Sequence, residues 1–478
     1  MPLLSKPVTP AESFPRAAGV LRVIALALLS LLFFAAIRFS LPAQAQRPAR
    51  VPVVMISIDG LKPDYVLEAD KHGLKIPNLR RLMKEGAFAS GVVGVTPTVT
   101  YPSHTTLVTG VSPAKHGIIT NSPFDPYSKN MGGWYWYAED IKAPTLWEAA
   151  GKAGLITASV DWPVTVGAEI RYNIVQYWRA STPDDRKLTR ALSTKGLLTE
   201  AEQTLGPYPE GYDYELPADR RRAKFVAWML EKKKPQFLTG YFSSLDEDQH
   251  HTAPYSAKTF ETLEGLDQIV GEVRAAAERA YNGRVVFCVV SDHGHITADK
   301  ELHLNAALRE AGLLELDEKQ KLKSWRAFAW TSGGSVGIML KDANDEQARN
   351  QIRELLRRLA ADPASGIDRV AEGSEAAALN GFSGAAFIVG VKPGFKMGGT
   401  LTGPVMRMGS AGGNHGYLPV YPDMEASFFI AGPGIPAGRN LGQIDMRDVA
   451  PTVAGVLGVA LPSAEGRDLL RGAKVAER

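Results

Sequence analysis

The chain has 478 residues, of which 45% are hydrophobic and 22% are charged, which suits one large globular domain and excludes a disordered protein. Its formal net charge of +3 comes from 54 basic and 51 acidic residues. Residues 1–45 carry four of the basic residues and one of the acidic ones, so the remainder is neutral. A neutral protein has no general attraction for phosphate backbones, so we expect no specific nucleic-acid binding.

The first predicted element is an apolar segment near the amino terminus. Arg22 precedes the apolar stretch 23–37, and the small-residue pattern Ala43, Gln44, Ala45 follows it. This order is typical of a secretory signal peptide and predicts cleavage after Ala45, with a periplasmic or secreted product. The alternative is an uncleaved helix that attaches the protein to a membrane, although the stretch is short for a spanning helix.

Beyond this segment, five apolar runs rich in β-branched residues predict buried strands. They are VPVVMISIDG (51–60), GLITASVDWP (154–163), PQFLTGYFSSLD (235–246), RVVFCVVSD (284–292) and ASFFIAGPG (426–434). Helical patterns separate them, which predicts an α/β fold with a mostly parallel sheet and helices on both faces. Such sheets bind ligands beyond the carboxyl ends of their strands, and four of these runs reach an aspartate there.

Two further regions have their own patterns. Residues 218–234, ADRRRAKFVAWMLEKKK, predict an amphipathic helix, and we expect its two basic runs to lie on a solvated face. From about 296 to 407 the strand signals weaken, and glycine-rich sequence ends the region. We interpret it as an insertion capping the ligand-binding face, with a continuation of the core as the alternative. The domain prediction is therefore a signal or anchor at 1–45 and one domain at 46–478.

Six polar side chains recur at strand ends or in glycine-flanked turns. Taken singly, each is an ordinary turn or capping residue. Together, carboxylates and imidazoles without thiolates form the mixed oxygen and nitrogen donor set that suits zinc or a similar divalent ion. These residues are Asp59, Asp246, His250, Asp292, His293 and His415.

The stretch TYPSHTTLVTG, residues 100–110, predicts a short helix that Gly110 ends. Thr100 would be its N-cap, with its hydroxyl at the positive end of the helix dipole. An ordinary capping threonine is the alternative. The candidate metal ligands favour a chemical role, because a metal ion can lower the pKa of a hydroxyl and make it a nucleophile.

Six segments occur in one order along the chain: SIDG (57–60), TYPSHTTLVTG (100–110), HGIITN (116–121), LDEDQHHTAP (245–254), SDHGH (291–295) and GNHGYLPVYPDMEASFFIAGPG (413–434). This set resembles the nucleotide pyrophosphatase/phosphodiesterase family of the alkaline phosphatase superfamily, over about residues 53–458. The resemblance implies an alkaline-phosphatase-like fold with a capping insertion. It also implies a metal-dependent type I phosphodiesterase/nucleotide pyrophosphatase that acts on small phosphodiesters or nucleotides through a covalent phosphothreonine.

The resemblance assigns a role to each matching residue. Thr100 matches the nucleophile, and Asn121 matches the residue whose amide, with the backbone N–H of Tyr101, donates to a phosphoryl oxygen. Tyr101 and Tyr177 match aromatic residues that stack on a nucleobase. The ligands of two zinc ions match Asp246, His250 and His415 for one ion, and Asp59, Thr100, Asp292 and His293 for the other. His295 departs from the family, in which a methionine is usual.

The same core serves other reactions, so the choice of substrate depends on the surrounding residues. Monoesterases of the threonine-using type carry a Lys and Arg pair after the strand where this chain has SVDWPVTVGAEI, residues 159–170, which contains no basic residue. We therefore expect a diesterase. The alternatives are an alkaline phosphomonoesterase, a lipid head-group phosphodiesterase with the same core, or a catalytically idle domain that binds metal or a partner. The cluster GGWYWYAED, 132–140, predicts a buried or interface edge rather than a surface on which a nucleobase stacks.

Overall fold

The structure is a computed structural model that describes residues 50–179, 182–209 and 213–471. The predicted signal or anchor, residues 1–45, lies outside the described residues. The strands are β1 (Val53–Ile58), β2 (Ala87–Phe88), β3 (Gly91–Val93), β4 (Thr157–Val160), β5 (Tyr172–Ile174), β6 (Phe237–Phe242), β7 (Val286–Val290), β8 (Ile296–Leu302), β9 (Leu314–Leu316), β10 (Leu322–Trp325), β11 (Ala327–Ser332), β12 (Ser335–Leu340), β13 (Ile367–Glu372), β14 (Phe387–Val391), β15 (Gly394–Met397), β16 (Met406–Asn414), β17 (Phe428–Ala431), β18 (Arg439–Asn440) and β19 (Gln443–Asp445).

Helices fill most of the segments between these strands. They are α1 (Pro63–Leu67), α2 (Ala69–His72), α3 (Pro77–Glu85), α4 (Thr100–Thr109), α5 (Pro113–His116), α6 (Leu146–Lys152), α7 (Asp185–Leu192), α8 (Leu197–Leu205), α9 (Leu216–Lys233), α10 (Ser244–Thr252), α11 (Ala257–Ala280), α12 (Leu304–Glu310), α13 (Glu346–Ala361), α14 (Ser374–Ala378) and α15 (Val449–Leu457). Short 3-10 turns lie at Ala138–Asp140, Pro363–Ser365, Pro422–Met424 and Met446–Asp448. None of the described helices is long and apolar enough to cross a membrane.

The central sheet has the strand order β18-β2-β17-β7-β1-β6-β4-β5. Strand β1 pairs in parallel with both β6 and β7, and β4 continues the parallel pairing on the far side of β6. Strand β17 is antiparallel to β7 and β2, which makes the sheet mixed at that side. The prediction of a mostly parallel sheet is confirmed.

Every residue of β1 is buried, because the sheet is covered on both faces. Val54 and Ile56 belong to one hydrophobic cluster, with side chains from α3, α9 and α11. Val53 and Met55 belong to a second cluster, with side chains from α4, α6 and α15. Alternate residues of a strand point to opposite faces, so this division accounts for the continuous apolar run in the sequence.

Three adjacent parallel strands bring polar residues to the same edge of the sheet. Asp59 follows β1, Asp292 follows β7 after one residue, and β6 leads into α10, which carries Asp246 and His250. Parallel neighbours end on the same side, so residues more than 200 positions apart in the chain meet here.

Residues 296–414 form three smaller sheets: β11-β12-β14-β13, β15-β8-β16 and β10-β9. They share a hydrophobic cluster of their own, which includes Leu304, Ile338, Ile352 and Phe387. Strand β16 returns from this region and ends at Asn414, directly before His415. The predicted insertion at about 296–407 thus coincides with a separately packed layer of structure, whose role as a cap stays an interpretation.

One expectation about α9 is wrong. Arg222 does not lie on a solvated face: it is 1% exposed. Its guanidinium lies 2.8 Å from Asp161 and 2.9 Å from Asp219, both of which are also buried. The aspartate that ends β4 is therefore paired with an arginine and not with the ligand cluster.

Candidate metal centre and catalytic cavity

Asp59, Asp292 and His293 form a fully buried cluster at the ends of β1 and β7. The His293 Nε2 atom lies 3.4 Å from Asp59 Oδ1 and 3.1 Å from Asp292 Oδ2. None of these three buried atoms has a hydrogen-bond partner. Unpaired polar atoms are costly inside a protein, so three that converge fit the donor set of a divalent ion.

The remaining oxygens of these carboxylates are fixed by protein groups. Tyr241 donates its hydroxyl hydrogen to Asp59 Oδ2, and the Gly60 N–H donates to Asp292 Oδ1 at 3.1 Å. Burial raises the pKa of Asp292 to about 7, and burial with the nearby carboxylates of Asp292 and Asp246 raises the pKa of Asp59. The protein alone therefore disfavours this concentration of negative charge, and a bound cation would relieve it.

The predicted ligands of the other ion also lie together. His250 Nε2 is 3.4 Å from Asp246 Oδ2, and His415 Nε2 is 3.1 Å from His250 Nε2 and 3.8 Å from Asp246 Oδ1. Burial opposes ionisation of Asp246, but His250 and His295 beside it hold its pKa well below its usual range. Burial lowers the pKa of His415 to about 3, so its imidazole is neutral and its ring nitrogen can act as a donor atom.

The three predicted histidine ligands are oriented in the same way. The Nδ1 atoms donate to backbone carbonyls: His250 to Gly413 at 3.0 Å, His293 to Gly294 at 3.2 Å and His415 to Thr98 at 3.2 Å. This directs each Nε2 at the carboxylates, as metal-binding histidines require. Burial opposes protonation of His250, but Asp246 beside it raises the pKa of His250 to about 9, so a metal ion would have to displace a proton from its Nε2. Gly413 permits the approach of β16 to α10, since a Cβ there would lie 2.5 Å from the Gln249 carbonyl oxygen.

His295 belongs to the same site although the family pattern gives it no role. It is fully buried, and its Nε2 lies 2.7 Å from Asp246 Oδ1. Asp246, His250 and His295 form one of the groups that could hold a metal ion, and Asp246, His293 and His415 form another. We assign His295 a positioning role, because a hydrogen bond to one carboxylate oxygen fixes the direction of the other.

Thr100 is the first residue of α4, and Val99 with its extended backbone is the N-cap. The predicted cap position is therefore wrong by one residue. Thr100 is 4% exposed and lines a cavity of about 250 Å³, the catalytic cavity, together with Asp59, Asp246 and His415. His104 steadies this turn, because its Nδ1 donates to the Thr100 carbonyl and its Nε2 lies 2.8 Å from Ser57 Oγ.

Asn121 lies beside the same helix start. Its Oδ1 accepts a hydrogen bond from the Tyr101 backbone N–H at 2.9 Å, and the residue lines the catalytic cavity. The bond occupies the carbonyl oxygen of the amide, so its NH₂ group remains as a donor. The two predicted donors are thus adjacent. The Tyr101 N–H, however, donates to Asn121 itself and is not free for another acceptor.

The aromatic lining of the catalytic cavity differs from the prediction. Tyr101 and Tyr177 are 0% and 5% exposed and pack in the core, so neither ring offers a face to a base. Trp134, Trp178 and Tyr214 line the cavity instead. Trp134 lies at the cavity while Trp136 of the same segment is 4% exposed, so the interpretation of 132–140 as a buried edge holds for only part of the segment. The residues Trp134, Trp178 and Tyr214 come from separate loops, so no local pattern in the sequence predicts that they line one cavity.

Known proteins are similar to this chain in sequence. The model of the type I phosphodiesterase/nucleotide pyrophosphatase family matches residues 53–418. Human ectonucleotide pyrophosphatase/phosphodiesterase family member 1 is 26% identical over 280 residues, 56% of this chain and 26% of that protein. A venom phosphodiesterase of Crotalus durissus collilineatus is 26% identical over 260 residues, 51% of this chain and 26% of that protein. The chain spans about a quarter of the length of these two curated relatives.

Two solved structures share the fold. Murine ectonucleotide pyrophosphatase/phosphodiesterase 5, in an inactive form with AMP, superposes with a TM-score of 0.63 and 18% identity, covering 87% of this chain and 97% of that one. The human protein gives a TM-score of 0.62 and 19% identity, covering 86% and 95%. The expected alkaline-phosphatase-like fold is confirmed. The chain belongs to the type I phosphodiesterase/nucleotide pyrophosphatase family.

Proposed function

We propose that this protein is an exported two-metal hydrolase of phosphodiester and nucleotide pyrophosphate bonds that forms a covalent phosphothreonine on Thr100. The observation that carries the proposal is the position of Thr100 at a helix start, in one cavity with Asp59, Asp246 and His415. Helix starts attract anions, so the phosphoryl group is drawn to the nucleophile.

We assign one ion to Asp246, His250 and His415, and the other to Asp59, Asp292, His293 and the Thr100 hydroxyl. Zinc is the metal whose usual oxygen and nitrogen donors match these residues. When bound, the ions lower the pKa of the Thr100 hydroxyl and neutralise charge on the phosphoryl oxygens.

The side chains of Thr100 and Asn121 carry out the remaining steps. The Thr100 hydroxyl gives its proton to water, its oxygen attacks phosphorus, the bond to the departing oxygen breaks, and the departing group takes a proton from water. Asn121 donates its NH₂ hydrogens to a phosphoryl oxygen as negative charge builds there. Water then hydrolyses the phosphothreonine and restores the Thr100 hydroxyl.

The charge of the cavity favours diesters over monoesters. Among the described residues that line the catalytic cavity, none is Lys or Arg. A terminal phosphate carries a second negative charge, and a charged group without a partner costs about 1.5–3 kcal/mol. We therefore expect kcat/KM for a diester to exceed that for the matching monoester by about tenfold or more.

The test compares bis(4-nitrophenyl) phosphate with 4-nitrophenyl phosphate, using the purified, metal-loaded protein. Thr100→Ala should lower turnover of the diester by about 10³-fold or more, because no nucleophile remains. Thr100→Ser keeps a hydroxyl and is the matched control, with partial activity. Metal content is measured in all three proteins. A Thr100→Ala protein that keeps its metal and its activity would show that Thr100 is not the nucleophile, and a monoester preference would favour a phosphatase.

Export is a separate part of the proposal. The curated relatives include ectoenzymes and venom enzymes by name. We propose cleavage after Ala45, which amino-terminal sequencing of the protein recovered from the periplasm or medium would detect as a chain starting at Gln46. Recovery of the intact amino terminus in the membrane fraction would instead support the anchor.

A further inference from the structure

A second cavity, which we call the outer cleft, opens from the catalytic cavity. Its volume is about 520 Å³, and Asn121, His250 and His415 line both cavities. The two spaces therefore meet at the residues that surround the phosphoryl group in the proposed function. Thr100 lines the catalytic cavity and not the outer cleft.

The outer cleft has one wall from the core domain and one from residues 296–414. The loop around Phe124 forms the first, and β11 forms the second. Along β11, Phe328 and Trp330 are half-buried and line the cleft, and the neighbouring residues Ala329 and Thr331 line it as well. The strand therefore presents two aromatic side chains to the cleft, together with small and polar residues.

The two walls meet through their aromatic rings. The Phe124 ring centroid lies 5.4 Å from that of Trp330 and 6.0 Å from that of Phe328. Neutral polar residues, including Ser122, Asn130 and Thr331, also line the cleft. A surface of this kind suits a flat ring with polar edges.

The charge of the outer cleft disfavours one class of leaving group. Among its described lining residues there is no Lys or Arg, and Asp125 adds a carboxylate. A pyrophosphate leaving group would bring several negative charges into this space without a matching cation from the protein. Burying such charges unpaired is unfavourable, whereas an uncharged alcohol carries no such cost.

We propose that the outer cleft is the subsite for the leaving group and that it takes an uncharged, ring-bearing alcohol such as a nucleoside. This inference rests on the proposed function. In an in-line displacement the leaving group departs on the side away from the nucleophile, and the outer cleft shares Asn121, His250 and His415 with the catalytic cavity but is not lined by Thr100. The enzyme therefore prefers diesters with two organic groups to nucleoside triphosphates.

The experiment varies only the leaving group. Three substrates share a thymidine monophosphoryl group: its methyl ester, the dinucleoside monophosphate of thymidine, and thymidine triphosphate. The two alcohols leave with similar chemistry, so their ratio of kcat/KM measures binding in the outer cleft. Because stacking on an aromatic ring contributes about tenfold in affinity, we expect the dinucleoside to exceed the methyl ester by about tenfold or more.

Variants identify the rings responsible. Trp330→Ala and Phe124→Ala should each bring the ratio of dinucleoside to methyl ester close to one. Tyr127→Ala is the matched control, because Tyr127 lies on the same loop, is 40% exposed and does not line the cleft. Asp125→Asn should raise kcat/KM for the triphosphate about two- to fivefold by removing a like charge.

Two results would overturn the inference: equal kcat/KM for dinucleoside and methyl ester in the unchanged enzyme, or a KM for the triphosphate below that for the dinucleoside. If Trp330→Ala does not fold, Phe124→Ala decides the matter alone, since Phe124 lies in a loop. Hydrolysis of the methyl ester, lost in Thr100→Ala, would still support the proposed function in either case. Failure of all three substrates would instead count against the proposed function itself.

Discussion

Arg222 is the only cation within ion-pair distance of the buried Asp161 and Asp219 among the described residues, so its replacement by Met tests the energetics of this core. The side chains of Arg222, Asp161 and Asp219 are 2%, 5% and 0% exposed. Removing one partner of a buried ion pair costs about 3–5 kcal/mol, because the remaining carboxylates must either stay charged without compensation or take up a proton. Asp219 also accepts the Ser244 N–H at 2.8 Å, so this network holds the start of α10.

The loss of stability should depend on pH. Burial raises the pKa of Asp161 to about 7 even with Arg222 present, and without Arg222 the pKa would be higher still. Above about pH 7 the folded variant would hold a proton on Asp161 that the unfolded chain releases, so its stability would fall by about 1.4 kcal/mol per pH unit. In the unchanged protein Asp161 is ionised in both states there, and this slope is absent. The variant would therefore keep losing stability between about pH 7 and the raised pKa of Asp161, where the unchanged protein shows no such loss.

The assay is urea denaturation followed by tryptophan fluorescence, with metal in excess, at about pH 6, 7 and 9. Arg221→Met is the matched control: Arg221 is exposed on the same helix, and we expect a change within about 0.5 kcal/mol. An Arg222→Met protein as stable as the control would refute the assignment of a buried ion pair. A loss that is equal at about pH 7 and 9 would refute the protonation of Asp161 as its cause.

Three further predictions concern the catalytic cavity. His295→Ala should weaken metal binding about 10- to 100-fold, because Asp246 loses the side chain that orients its carboxylate. Calorimetric titration of the metal-free protein with zinc measures the affinity, and an unchanged affinity would contradict the prediction. Asn121→Ala should lower kcat by about 10²–10³-fold with a smaller change in KM, as steady-state kinetics on the diester would show; an effect on KM alone would indicate a binding role only. Removal of metal by a chelator should lower the free energy of unfolding, because the charges of Asp59 and Asp292 are then left without a cation. The expected decrease is about 2.7 kcal/mol, relative to protein with the metal at one hundred times its Kd. Denaturation curves with and without zinc test this, and identical curves would contradict it.

Local patterns in the sequence were sufficient to predict the sheet and the positions of the candidate ligands. The runs that end at Asp59 and Asp292 form adjacent parallel strands, and their carboxyl ends meet at one edge. The spacing of Asp246 and His250 places them one turn apart on α10. These features could be predicted because strand burial, parallel pairing and helical periodicity are determined over short segments.

The same rules failed where burial depended on distant segments. Asp161 ends a strand just as Asp59 does, yet Arg222 binds it from a helix about 60 positions later. The basic run that includes Arg222 gave no sign that one of its members is buried. Likewise Tyr101 is covered by packing, whereas Trp134 lines the cavity.

The sequence alone therefore determined the α/β fold, the donor types and Thr100 as the candidate nucleophile, since each depends on residue type and local spacing. Only the tertiary structure decided which aspartates face the metal centre, which aromatic rings are accessible, and that β11 forms a wall of the outer cleft. The physical reason is that exposure of a side chain depends on what packs over it, and those neighbours come from elements far away in the chain.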